Sequence, residues 1–141
     1  IDIFTAYMPS ANTMKNLIVT ITSFFLVLTS CTNSKTTSQE QDQQFLDDLY
    51  LEIQAIANSE SCTNAENWSF TAIGSKACGG PTGYIAYPLS INTTNFLEKV
   101  KLFTDEQRKF NVKWNVISDC SVPQQPSNVD CINGKPTFIY Q

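Results

Sequence analysis

Five cysteines and a complete lack of histidine set the chemistry open to this 141-residue chain. Without an imidazole there is no Ser-His-Asp or Cys-His nucleophile, the usual pH switch is missing, and the commonest metal ligand is absent. Cys62, Cys78, Cys120 and Cys131 contain no CxxC spacing, so they match neither zinc knuckles nor a dithiol redox motif. They read instead as two structural disulfides formed in an oxidising compartment, with three possible connectivities. Local pairing, Cys62 with Cys78 and Cys120 with Cys131, is preferred. The first pair brackets a strand and its loop, and the second ties a proline-rich segment to a hairpin. In the chain-entropy model each would contribute about 3 kcal/mol. No metal and no cofactor is expected.

The segment Gly74-Ser75-Lys76-Ala77-Cys78-Gly79-Gly80-Pro81-Thr82-Gly83-Tyr84 is the most distinctive. A phosphate-cradling loop would open a helix with Lys-Ser/Thr, whereas a strand follows here. The composition predicts a tight, disulfide-pinned turn with positive φ at Gly79 or Gly80. A sharper reading makes the loop a rigid platform that presents Lys76, Gly79, Gly80 and Tyr84 to a partner, as an inhibitor presents a residue beside a disulfide. Carboxylates offer less. Asp47-Asp48 and Asp105-Glu106 fall on helix faces expected to be solvated, and glycosidase chemistry needs two carboxyls facing across a cleft. Trp68, Tyr84, Tyr87 and Trp114 have the chemistry to line a sugar or peptide groove, but core packing is the expected role.

The fifth cysteine closes a different pattern. Met14-Lys15-Asn16 is a basic start, and residues 17–28 are an apolar run too short for a helix across a bilayer core of about 30 Å. Leu28-Thr29-Ser30-Cys31 resembles the lipobox of bacterial lipoproteins. The resemblance implies diacylglyceryl transfer to the Cys31 thiol, cleavage before it, and anchoring to a membrane through palmitate-type acyl chains, several of which hold a protein stably. It also implies sorting: Thr32 stands where an Asp would retain such a protein in the inner membrane, so the outer membrane is favoured, on its periplasmic face or the cell surface. Residues 1–13 are read as upstream sequence ahead of a start at Met14, and 14–30 as the signal peptide.

These sites need elements to position them. Residues 32–44 hold no apolar side chain and are expected, with Cys31, to form a flexible tether. Over residues 45–57, Phe45, Leu46, Leu49, Ile53 and Ile56 recur at helical spacing. Residues 67–73 alternate as a half-buried strand, and 84–87 form a second. Asn92-Thr93-Thr94 caps a second helix, 93–110, with a stripe of Phe96, Leu97, Val100, Phe103 and Phe110. A strand is expected over 113–117 and an irregular stretch over 122–127. A hairpin over 129–132 and 137–140 turns at Asn133-Gly134. The sum is a single α+β domain over residues 45–141, two amphipathic helices on a small antiparallel sheet, stapled by two disulfides.

The net charge of −4 opposes nucleic-acid binding, which needs clustered Lys and Arg. From Cys62 to Tyr140 the chain is similar to small cysteine-containing exported bacterial proteins of unknown function, a resemblance that implies no activity. The expected function is a membrane-anchored envelope lipoprotein with a monomeric binding or inhibitor module for a protein or glycan. The competing readings are a carboxylate-dependent hydrolase of glycans or peptidoglycan, and a structural part of the envelope.

Overall fold

The computed structural model describes residues 38–141. The expectations placed on the signal peptide, Cys31 and residues 32–37 lie outside the described residues. The elements run α1 (Gln39–Ala57), a 3₁₀ turn (Ala65–Asn67), β1 (Trp68–Ile73), β2 (Gly83–Pro88), α2 (Thr93–Lys113), β3 (Asn128–Ile132) and β4 (Lys135–Ile139). This is the expected α+β class, with two helices, but the strands form two separate antiparallel hairpins in place of one sheet.

α1 begins earlier than its apolar stripe. Ser38 accepts from the Gln41 backbone N–H, while the Gln41 side chain accepts from the Ser38 N–H, so a capping box closes the first turn. Gln43 and Gln44 each donate, one turn on, to Asp47 and Asp48 at 2.8 Å. Residues 39–44, expected as tether, are therefore helix, because local caps and side-chain pairs stabilise a turn that needs no core. The stripe that buries is Leu46, Leu49, Ile53 and Ala57, and Phe45 stays 52% exposed at its edge.

α2 is capped by Asn92, whose carboxamide oxygen accepts from the Asn95 N–H. It continues past residue 110 to Lys113, so the strand expected over 113–117 does not form; Trp114 ends the helix and Asn115 takes φ 48°. Its buried residues are Phe96, Val100 and Phe103, while Leu97 stays 39% exposed.

The layers follow from β1. Its pairing with β2 sets Trp68 opposite Pro88, Phe70 opposite Ala86, and Ile73 opposite Gly83. One face presents Ile73, Ile85 and Tyr87 to the helices, where they join Ile53, Phe96 and Phe103 in the main core. The other face presents Trp68, Phe70 and Ala86 to the second hairpin, where they join Cys62, Val129 and Phe138. The strand expected to be half-buried is thus sandwiched. The β3–β4 turn has φ 52° at Asn133 and φ 76° at Gly134, the paired positive values that a two-residue I′ turn requires.

The disulfides pair otherwise than preferred: Cys62 joins Cys131, and Cys78 joins Cys120, with Cα separations of 5.2 and 5.7 Å. The correction is geometric. β1, extended at about 3.3 Å per residue, carries the chain away from Cys62 before Cys78 is reached. Meanwhile the Cys62 N–H donates to the Gly134 carbonyl at 2.9 Å, laying Cys62 along the second hairpin beside Cys131.

Candidate functional site

The loop between β1 and β2 is rooted on α2. Gly74 donates to Thr104 Oγ1 at 3.0 Å, Ser75 N–H donates to Gln107 Oε1 at 2.7 Å, and Asn111 Nδ2 donates to the Ser75 carbonyl at 2.7 Å. Thr104, Gln107 and Asn111 recur at intervals of three and four, which puts them on one face of the helix. That polar line was the sequence signal for the loop's seat, and a search for apolar stripes passes over it. Gly74 is at φ 78°, and a Cβ there would meet Thr82 Oγ1 at 1.9 Å, so this position requires glycine.

At the tip, Lys76 N–H donates to the Gly80 carbonyl and Gly79 N–H donates to the Lys76 carbonyl. Both glycines take positive φ, 98° and 79°, and both are exposed. Lys76 points inward instead. Its Nζ donates to Asp119 Oδ1 at 2.8 Å, to the Ser121 carbonyl at 2.6 Å and to Ser121 Oγ at 2.8 Å, and its side chain is 16% exposed. The hydrogen bond from Lys76, then those from the Ser121 hydroxyl and N–H, lower the Asp119 carboxyl from 3.8 to about 2.

The partner of this loop is a strap, residues 115–127, without regular structure. Cys78–Cys120 and the Lys76 clamp fasten the two together. Cys120 sits at φ 52°. On the strap, Ile117 and Val122 stand 93% and 80% exposed, and Pro126 is buried. Sequence reading placed the presented residues in the glycine loop and missed these two. Their signal was an apolar residue three positions before Cys120 and another two after it.

Tyr84 belongs to a different feature. A cleft of about 300 Å³ opens between α1, α2 and the start of β2. Buried Leu46 and Phe103 line its base, and Gln43, Asp47, Tyr50, Tyr84 and Gln107 line its walls. The Tyr50 ring lies 5.3 Å from Phe103, and the Tyr84 ring meets Phe70 edge-on at 6.2 Å. Trp68 and Tyr87 are buried core residues, and Trp114 Nε1 donates to Asp42 at 3.0 Å.

The acidic pairs carry partners. Asp105 accepts from Lys101 and Arg108, which hold its carboxyl below the ordinary range, and Glu106 accepts from Lys109, raising that ammonium. Among the described residues no group of three or more Asp, Glu or Cys side chains is arranged to hold a metal. No described helix is long and apolar enough to cross a membrane.

Fold and site together define a small α+β domain closed by two disulfides, with a braced loop and a cleft beside the two helices. In comparisons with known proteins, the chain matches no family model, no curated protein and no solved structure.

Proposed function

We propose that this chain is a lipid-anchored lipoprotein of a bacterial envelope, and that its domain is a non-catalytic binding module. The observation that carries the reading is the pair of disulfides, which join segments 69 and 42 residues apart. Bonds of this kind persist outside a reducing cytosol. Leu28-Thr29-Ser30-Cys31, behind the apolar run of residues 17–28, supplies the route out and the thiol for the anchor. Thr32 favours the outer membrane.

The braced loop and strap are the proposed contact surface for a protein. Gly79, Gly80, Ile117 and Val122 lie on it, and Lys76 serves as its internal brace. A surface already ordered by a disulfide and an ion pair loses little conformational freedom on binding. The anchor is tested by growing cells on an alkyne-bearing fatty acid. The wild-type chain should take up label, and Cys31→Ser should remain an unlabelled, uncleaved precursor. Label on Cys31→Ser overturns the anchor.

A further inference from the structure

We propose that the end of the domain formed by the first turns of α1 and the last turns of α2 rests on the surface of the anchoring bilayer, with Phe45 and Trp114 as its lipid contacts. The inference deepens the lipoprotein reading and rests on the acyl chains at Cys31.

Chain length limits where the membrane can be. Because α1 is capped at Ser38, only six residues, 32–37, separate that cap from Cys31. Seven Cα steps span at most about 25 Å, less than the roughly 28 Å length of α1 itself. An acylated Cys31 therefore keeps the start of α1 within one helix length of the lipid headgroups. The ion pairs Lys113–Asp42 and Lys99–Glu52 set the two helices antiparallel, so the end of α2 shares that position.

The side chains at that end suit a bilayer interface. Phe45, 52% exposed, and the half-buried Phe110 line one cavity of about 230 Å³ beside Lys109 and Lys113. Trp114 ends α2 at the same corner, where its indole N–H donates to Asp42 and Lys113 Nζ lies 4.8 Å from its ring centroid. Aromatic rings settle at the level of the headgroups, and lysines lay their stems along apolar surface with the ammonium in water. The cavity's two acids, Asp42 and Glu106, pair with its two lysines. Exposed Glu40 and Asp47 border it, which favours zwitterionic over anionic lipid. A patch already held beside the bilayer needs little affinity of its own, because the anchor raises its effective concentration.

The test uses the two tryptophans of the chain, Trp114 at this end and Trp68 buried at 7% exposure. The acylated product of the full chain, verified by intact mass, is placed at low copy number in phosphatidylcholine–phosphatidylethanolamine vesicles, with and without lipids brominated high on the acyl chain. Bromine should quench the wild type and leave Trp114→Phe unquenched. Phe45→Ser, an exposed substitution that keeps the fold, should be quenched at least about twofold less than the wild type. An acylated, vesicle-bound wild type that bromine does not quench overturns the proposal and leaves the anchor standing. Undiminished quenching in Trp114→Phe also overturns it, since Trp68 would then lie nearer the lipid. So does shielding of Trp114 from acrylamide that appears only in crowded vesicles and without bromine quenching, which assigns the patch to a second copy of this chain. A product without acyl chains overturns the anchor itself, and this orientation with it.

Discussion

The Lys76 ammonium and the Asp119 carboxylate lie 2.8 Å apart, 43 positions apart in the chain. One contact thus ties the glycine loop to the strap, next to the disulfide that does the same covalently. A lysine that looks available for display is the fastening between loop and strap, and the exposed apolar residues are Ile117 and Val122, on the strap.

That pair sets a pH dependence. Folding lowers the Asp119 carboxyl from 3.8 to about 2. A depressed folded-state value means the contribution is complete above the unfolded value and disappears as pH falls from about 4 to about 2. Carboxyl carbon NMR should show the low midpoint in the wild type, and Lys76→Met should move it back toward 3.8. A midpoint near 3.8 in both chains would sink the clamp.

Gly74 and Gly79 separate steric need from backbone need. Gly74→Ala drives a Cβ into Thr82 Oγ1 at 1.9 Å and also forces φ 78°, whereas Gly79→Ala meets nothing within 4 Å. The first should cost more than about 3 kcal/mol and the second about 1 kcal/mol, from φ alone. Urea denaturation gives both, and equal losses would show that the seat on α2 is loose.

In the core, Ile53 and Phe96 have no exposed surface. Truncating either to Ala should cost about 3–5 kcal/mol, while Ile117→Ala on the strap should stay within about 0.5 kcal/mol. A strap substitution that matched the core ones would mean Ile117 is covered in solution.

Peptide mapping of the oxidised protein should return Cys62–Cys131 and Cys78–Cys120, with no free thiol among the four. Because Cys78 and Cys120 are exposed and Cys62 is only 2% exposed, graded reductant should open the strap bond first. Alkylation at Cys62 ahead of Cys78 would contradict the layering. Replacing either pair by Ser should cost about 4 kcal/mol in the chain-entropy model.

What was legible in the residues was local. The Asn92 cap, the stripe Phe96-Val100-Phe103 and the Asn133-Gly134 turn depend on neighbours within a few positions, and all formed where their patterns stood. The start of α1 was local too, in the Ser38–Gln41 box, but a polar, Gln-rich composition hid it. The rest depends on partners far along the chain. Phe45 fits the stripe by spacing, yet lies at its edge, 52% exposed, because the α1–α2 contact runs through Leu46 and Leu49. No spacing rule reveals that Lys76 faces Asp119, or that Tyr84 shares a cleft with Tyr50.

The two disulfides are nested, Cys78–Cys120 lying wholly inside the span of Cys62–Cys131. One mispaired alternative closes far smaller rings, since Cys62 and Cys78 stand 16 positions apart and Cys120 and Cys131 stand 11 apart. Loop-closure entropy favours each short ring by roughly tenfold over the native one in an unfolded chain. Oxidation before folding therefore runs toward the wrong isomer. A cell that makes this domain in quantity needs a thiol–disulfide isomerase where the chain oxidises, and a host without one should accumulate a kinetically trapped, scrambled product.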